Sequence, residues 1–511
     1  MQNCPQYVAL YLGMSKIGVV ASLINHNLRS DSLVHCVKAA CTTGLIFETR
    51  LGVAVEEVQE SLNGMKLYCL DGEMERLTAT NMEPALRTCC ITKPEIGLKV
   101  NPKQVLFYVF TSGTTGLPKA AMVSHYRFIY FSLAVYIAQR LKPEDIIYSA
   151  LPLYHTNAVV LGMGIMIQKG VTVVLRRKFS ASHFWEDCCQ YNCTAVQYIG
   201  ELCRYLLAQP PRSFDTQHRV RLAFGNGMQM ELWEKFQSRF QVSHIGEFYG
   251  ATEGNVAAIN STGKVGACGH FSVIDPFDIY PVKIIKRDET TGQPIRDSNG
   301  LCVLCKPGEC GEIIGKVKKH GVFQQFDGYA NKEQTEKKLI YNVVQKGDVW
   351  FSSGDVMIQD EEGYIYFLDR TGDTFRWKGE NVSTREVETI ISDLLEMRDV
   401  VVFGVAIPRT EGKAGMAVIA ANQVTDINLN ELQHQLLKKL PAYTHPMFIR
   451  IVSSCDLTGT FKLKKVGLRA EGYNIHEVSD PLFYLDVRGS KQYEVLNEDS
   501  YQAILNGKIQ F

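Results

Sequence analysis

The chain lacks a charge excess of either sign. Its 54 lysines and arginines balance 54 aspartates and glutamates, so no overall field draws it to nucleic acid or to an anionic membrane, and any such binding has to be local. It also lacks the even cysteine spacing of a secreted disulfide framework: fifteen cysteines, an odd number, are scattered along 511 residues, which points to a reducing compartment. Neither a basic stretch nor a small-residue cleavage site follows Met1, which argues against a signal peptide. Residues 7–24 are the one apolar stretch near spanning length, but they contain Ser15, Lys16 and two glycines. A buried helix over 7–17 followed by a strand over 19–24 is the better expectation. Internal repeats and low-complexity tracts are missing as well.

What remains is a chain rich enough in apolar residues, 46%, to bury large cores in roughly two to four domains. Up to about residue 200, short apolar runs at 44–48, 105–110, 146–150, 171–175 and 195–199 alternate with helix-length segments. That texture predicts parallel sheets covered on both faces. From 265 to 366 the runs shorten and Gly, Pro and Asp turns crowd between them, which predicts an antiparallel or barrel-like subdomain. A polar, glycine-punctuated passage, 369–381, precedes an αβ pattern with helices at 386–397 and 430–440 and a strand at 400–406. The expected division is a large domain over 1–369 and a small one over 370–511.

Cys302, Cys305 and Cys310 with His320 invite a zinc reading, since Cys-x-x-Cys supplies two thiolates. The cysteines alternate with apolar residues, however, and Lys306-Pro307-Gly308-Glu309 reads as a hairpin turn between two short strands.

The stretch from Tyr108 to Met122 leaves an apolar run and sets Thr111, Ser112, Gly113, Thr114, Thr115 and Gly116 ahead of Lys119. Glycine backbone N–H groups, hydroxyls and one ammonium form a composition suited to holding phosphate. The order is neither Gly-x-x-x-x-Gly-Lys-[Ser/Thr] nor Gly-x-Gly-x-x-Gly. A flexible surface linker is the alternative if the loop stands alone.

It does not stand alone. Thr-Ser-Gly-Thr-Thr-Gly-Leu-Pro-Lys resembles the phosphate loop of the adenylate-forming, AMP-binding superfamily. Six further matches follow in that family's order: Leu-Pro-Leu-Tyr-His (151–155), Gly-Asn-Gly (225–227), Tyr-Gly-Ala-Thr-Glu-Gly (249–254), Ser-Gly-Asp (353–355), Asp-Arg-Thr-Gly-Asp-Thr-Phe-Arg-Trp-Lys-Gly-Glu-Asn (369–381) and Thr-Gly-Thr-Phe-Lys (458–462). Tyr-Ile-Gly-Glu (198–201) and the last two motifs are similar to those of the fatty acid transport protein, or very-long-chain acyl-CoA synthetase, group. The resemblance covers nearly the whole chain.

It implies an α/β fold: a large N-terminal adenylate-forming domain of αβ sandwich sheets plus a β-barrel-like subdomain, with a small mobile α+β C-terminal domain. It implies an ATP-dependent ligase of long-chain or very-long-chain fatty acids and coenzyme A, acting through an acyl-adenylate and coupled to fatty-acid uptake. A non-catalytic transport or lipid-binding partner is the alternative.

Carried onto these positions, the resemblance assigns the phosphates to Thr111–Lys119, Mg²⁺ to Glu253 and a phosphate or acyl oxygen to Thr252. Tyr249, with Gly225, Asn226 and Gly227, takes adenine. Asp355 and Arg370 take the ribose, Lys462 bridges carboxylate and α-phosphate, and His155 lies beside the acyl carboxylate. Arg376 and Lys378 are assigned to coenzyme A phosphates. Many relatives pivot on an Asp or Lys two positions after the arginine, where this chain has Gly372, a residue that readily absorbs φ/ψ change. Group members begin with a hydrophobic anchoring segment before the point matching Tyr7, so a shortened form is expected. Association with the endoplasmic reticulum, a peroxisome or the plasma membrane, with catalytic domains facing the cytosol, is also an expectation of the group.

Overall fold

A computed structural model describes residues 1–92, 95, 101–111, 118–272, 281–288, 291–318, 326–370, 375–377, 380–408, 410, 412–456, 463 and 465–511. The chain divides into two compact units, the first built mainly of 1–270 and 314–353, the second mainly of 283–313 and 354–511.

In the first unit the helix Pro5–Lys16 buries Tyr7, Val8 and Tyr11, and Tyr11 packs edge-on against Phe107, ring centroids 6.1 Å apart. The strand Ala21–Leu23 follows and pairs in parallel with Val105–Thr111, so residues 7–24 form the expected helix and strand. No helix among the described residues is long and apolar enough to cross a membrane. Val105–Thr111 pairs antiparallel with Lys119–Ser124, Thr111 opposite Lys119. A second sheet holds Gly44–Glu48, Lys66–Leu70 and Thr80–Asn81, all parallel.

A six-stranded sheet runs Ala257–Ile259, His244–Gly250, Leu222–Asn226, Ala195–Ile199, Ile146–Ser149, Thr172–Leu175. Only its first strand is antiparallel. All five residues of Ala195–Ile199 are buried, as a parallel strand covered on both faces requires. The covering helices are amphipathic: Met230–Phe240 turns Leu232, Trp233, Phe236 and Phe240 inward, an i, i+1, i+4, i+8 stripe. The strands expected at 146–150 and 171–175 are each one residue shorter here, Ile146–Ser149 and Thr172–Leu175.

In the second unit Val349–Gln359, which crosses from the first unit, pairs antiparallel with Tyr364–Arg370 around a bulge at Val356/Met357. Short bridges, Ile285 to Leu304 and Arg296 to Cys302, continue the antiparallel texture. The 306–309 turn is present: Glu309 N–H donates to the Lys306 carbonyl at 3.0 Å, and Gly308 has φ +83°, a left-handed value that suits glycine. Cys302 is buried and Cys310 exposed. No group of three metal-ligating residues occurs among the described residues; His320 lies outside them. None of the fifteen cysteines forms a disulfide.

The C-terminal part is a five-stranded sheet, Val400–Val405, Ala414–Ala420, Phe448–Val452, Leu482–Leu485, Tyr493–Val495. Thr384–Leu394 and Leu429–Lys439 are the two expected helices. Each has a polar cap, Ser383 accepting from Glu386 N–H and Asn428 from Glu431 N–H, which satisfies an orphan donor of the first turn. The polar passage 369–381 holds a surprise: Phe375–Trp377 is a strand paired with Glu380–Val382, and Phe375 and Trp377 belong to the core of this sheet. Alternation sends these two aromatics to one face.

Candidate active site

Most motif residues of the first unit lie at or just beyond the carboxyl ends of its strands, the place where open α/β sheets bind ligands, while Lys119 opens its strand opposite Thr111. Thr111 ends Val105–Thr111, Asn226 ends Leu222–Asn226, and Tyr249 precedes the last residue of His244–Gly250. His155 and Thr156 follow Ile146–Ser149 and open a π-helical turn, Asn157–Met163, an irregularity frequent at functional sites.

Two clusters form there. In the first, Thr252 and Thr156 share a hydrogen bond at 3.0 Å between their hydroxyls. Glu253 Oε1 accepts from the Tyr329 hydroxyl at 2.8 Å. The Lys119 ammonium stands 5.6 Å from the centre of the Tyr329 ring, within cation–π reach. Arg127, buried, donates to the backbone carbonyls of Ala251 and Gly254 and so pins both ends of the Thr252-Glu253 turn. Burial lowers the Arg127 pKa, opposed by the charges of Asp327 and Glu253. Its helix, His125–Ala138, starts at Ser124, whose hydroxyl accepts from Arg127 N–H.

In the second cluster, Asn157 donates to the Asn226 side-chain oxygen at 3.0 Å and to the Tyr198 carbonyl at 3.2 Å. Glu247, 3% exposed, accepts from the Tyr198 hydroxyl, from Gly227 N–H and from Met228 N–H at 3.2 Å. Burial, then the Glu247 charge, push the Tyr198 pKa well above its usual value, so it stays a phenol and donates. Glycine at 225 has a local cause too, because a Cβ there would sit 2.1 Å from the Tyr198 carbonyl oxygen on the neighbouring strand. Gly227 has φ +84°. His155 packs its ring against Tyr154, centroids 4.5 Å apart.

In the second unit Asp355 and Arg370 are cross-strand partners, with Arg370 Nε 3.5 Å from Asp355 Oδ1. Adjacent Asp369 is buried and accepts from the Thr384 amide and hydroxyl at 3.0 and 3.2 Å. This ties the end of Tyr364–Arg370 to the start of helix Thr384–Leu394. Lys465 donates to the Thr384 hydroxyl at 2.9 Å and pairs with Glu388 at 2.8 Å. Lys465 is therefore an internal partner rather than part of a solvated basic face.

Arg376 lies on the strand Phe375–Trp377, opposite Asn381. Ser112, Gly113, Thr114, Thr115, Gly116, Lys378 and Lys462 lie outside the described residues. Sequence reasoning missed Arg127, Thr156, Asn157, Glu247 and Tyr329. Of these only Thr156 carried a signal, as the next residue after Leu-Pro-Leu-Tyr-His.

The oxygen donors around Glu253 suit Mg²⁺, a hard ion that keeps several waters and binds through one or two carboxylates plus substrate phosphates.

The profile of the AMP-binding enzyme family matches residues 1–326, and that of the AMP-binding enzyme C-terminal domain matches 386–462. The chain belongs to the AMP-binding enzyme family. The enzyme class expected from the sequence, an acid–thiol ligase, follows from this membership. A relative in the same family, long-chain fatty acid transport protein 1 of Mus musculus, is 45% identical over 99% of this chain and 79% of its own length. Long-chain fatty acid transport protein 6 of Mus musculus is 40% identical over 100% of this chain and 82% of its own. Among solved structures, the anthranilate CoA ligase AuaEII in complex with anthranoyl-AMP superposes with a TM-score of 0.76, at 18% identity over 92% of this chain and 86% of that one. The o-succinylbenzoate coenzyme A synthetase (MenE) of Bacillus subtilis, in complex with ATP and magnesium ion, gives 0.71 at 21% identity over 92% and 87%. The adenylate-forming fold expected from the motifs, mixed α/β with a large N-terminal domain and a small C-terminal one, is thus the observed one.

Proposed function

We propose that the chain joins long-chain or very-long-chain fatty acids to coenzyme A, in two steps that pass through an acyl-adenylate. In the first, a carboxylate oxygen attacks the α-phosphate of ATP and pyrophosphate leaves. In the second, the thiol of coenzyme A attacks the acyl carbon and AMP leaves. One observation carries the reading: motif residues and their immediate neighbours, far apart in sequence, meet at the strand ends, Thr252 with Thr156, and Glu253 with Lys119 through Tyr329. The names of the similar fatty acid transport proteins support the acyl substrate.

The first step brings two anions together, so charge neutralisation dominates its barrier. Lys119 and the Thr111–Lys119 loop hold the β- and γ-phosphates, and Thr252 donates to an α-phosphate or acyl oxygen. Tyr249 stacks on adenine beside Gly225–Gly227, Asp355 accepts from the ribose hydroxyls with Arg370 beside it, and His155 flanks the acyl carboxylate. Mg²⁺, when bound at Glu253, supplies neutralising charge at the phosphates. Lys462 bridges carboxylate and α-phosphate, and a turn of the small domain about the segment after Arg370 then exchanges it for Arg376 and Lys378 at the coenzyme A phosphates. The membrane setting and the coupling to uptake belong to this proposal.

Labelled palmitate or a longer acid, incubated with the purified protein, ATP, Mg²⁺ and coenzyme A, is expected to yield acyl-CoA and AMP in equal amounts. Folded protein that binds ATP yet forms neither product overturns the ligase reading in favour of a non-catalytic lipid-binding partner.

A further inference from the structure

We propose that Tyr329 is a positioning residue of the active site, fixing Glu253 for Mg²⁺ and tying it to Lys119. The proposal rests on the functional reading above for the role of Glu253.

Tyr329 is held before any ligand arrives. Ala121 and Tyr329 form an antiparallel bridge, flanked by Met122 N–H to the Gly328 carbonyl and Ala330 N–H to the Ala120 carbonyl, both 2.9 Å. Residues 328–330 therefore run as an added edge on the strand Lys119–Ser124. Tyr329 N–H donates to the Thr335 hydroxyl at 2.9 Å, and Gly328 N–H donates to the Glu253 carbonyl at 3.3 Å. The residue is 3% exposed.

From this fixed base one ring meets two groups of opposite charge. Its hydroxyl donates to Glu253 Oε1, which occupies that oxygen, restrains the carboxylate and leaves Oε2 as the oxygen that would hold the ion. Its face lies under the Lys119 ammonium at the downstream end of the phosphate loop. An outer hydrogen bond that orients a carboxylate ligand typically governs metal affinity by about 10–100-fold. The aromatic face adds a weaker hold on the lysine.

The test is Tyr329→Phe, which removes the hydroxyl and keeps the ring. Thermal stabilisation by ATP, which reports binding to the folded state, is measured against Mg²⁺ concentration, with EDTA as the metal-free arm. The Mg²⁺ concentration for half-maximal stabilisation is expected to rise about tenfold, while melting without ligand moves by no more than about 2 °C and the EDTA arm is unchanged. In a Glu253→Gln background the same change is expected to add nothing. Should Tyr329→Phe prove unstable, Tyr329→Leu and Lys119→Met are compared in the EDTA arm: a weakening of ATP by Tyr329→Leu no larger than that by Lys119→Met supports the ring contact, and no effect of Tyr329→Leu, or an effect larger than that of Lys119→Met, refutes it. An unchanged Mg²⁺ midpoint in Tyr329→Phe, or a shift of equal size in the Glu253→Gln background, overturns the positioning role. A wild-type protein with no Mg²⁺-dependent ATP stabilisation overturns instead the functional reading on which the proposal stands.

Discussion

Lys462→Ala is expected to slow acyl-adenylate formation by roughly 10²–10³-fold, the loss typical of removing one pre-aligned group that meets charge developing in a transition state. A solvent molecule in its place would have to reorganise as that charge develops. Pyrophosphate release from ATP and acid reports this step. Acyl-adenylate supplied to the variant together with coenzyme A is expected to give thioester within about threefold of the wild-type rate, because thiol attack happens after that bond is made. Equal falls in both half-reactions would mean that the residue serves the fold or both conformations alike.

Glu247→Ala is expected to be the most damaging change outside the reacting groups. The buried carboxylate accepts from three donors, the Tyr198 hydroxyl and the amides of Gly227 and Met228. Truncation orphans all three in the interior, and each buried unsatisfied donor costs about 1–3 kcal/mol. A loss of about 4 kcal/mol is expected, read as an earlier unfolding transition in denaturant, since water entering the gap satisfies part of the deficit. Freed of its anchor, the Gly225–Gly227 turn is expected to weaken ATP binding as well, checked by calorimetric titration. A change below about 1 kcal/mol would show that these donors find other partners.

The two predictions bear on different kinds of legibility. The strand Ala195–Ile199 was readable because a strand buried on both faces has to be mostly apolar, here with Gln197 the one polar amide in its buried row, and Gly44–Glu48 was readable from the apolar run Leu45-Ile46-Phe47. The helices after Ser383 and Asn428 were readable because their apolar stripes are local, with starts read at 386 and 430 against 384 and 429 in the structure. The motif residues were readable only as a pattern shared with a family. What joins them is long-range: Glu253 finds Tyr329 76 positions away, Thr252 finds Thr156 96 away, and Ser124 N–H finds Asp327 203 away. Nothing in local periodicity ranks one tyrosine or one buried glutamate above another. Phe375 and Trp377 escaped for a related reason. Three residues of strand amid lysine, threonine and glycine are too few to show alternation, and only the core they enter makes them a strand.

Fifteen thiols, none in a disulfide, make the chain its own probe of opening. Four are exposed, Cys41, Cys89, Cys90 and Cys310, and eight are buried. The Cys90 thiol, hydrogen-bonded to Thr92, has its pKa lowered and should be alkylated first, since the thiolate is the reacting species. A maleimide pulse on the native protein therefore stains the outer four within moments, and each slower increment of mass afterwards clocks how often the interior breathes, with and without nucleotide.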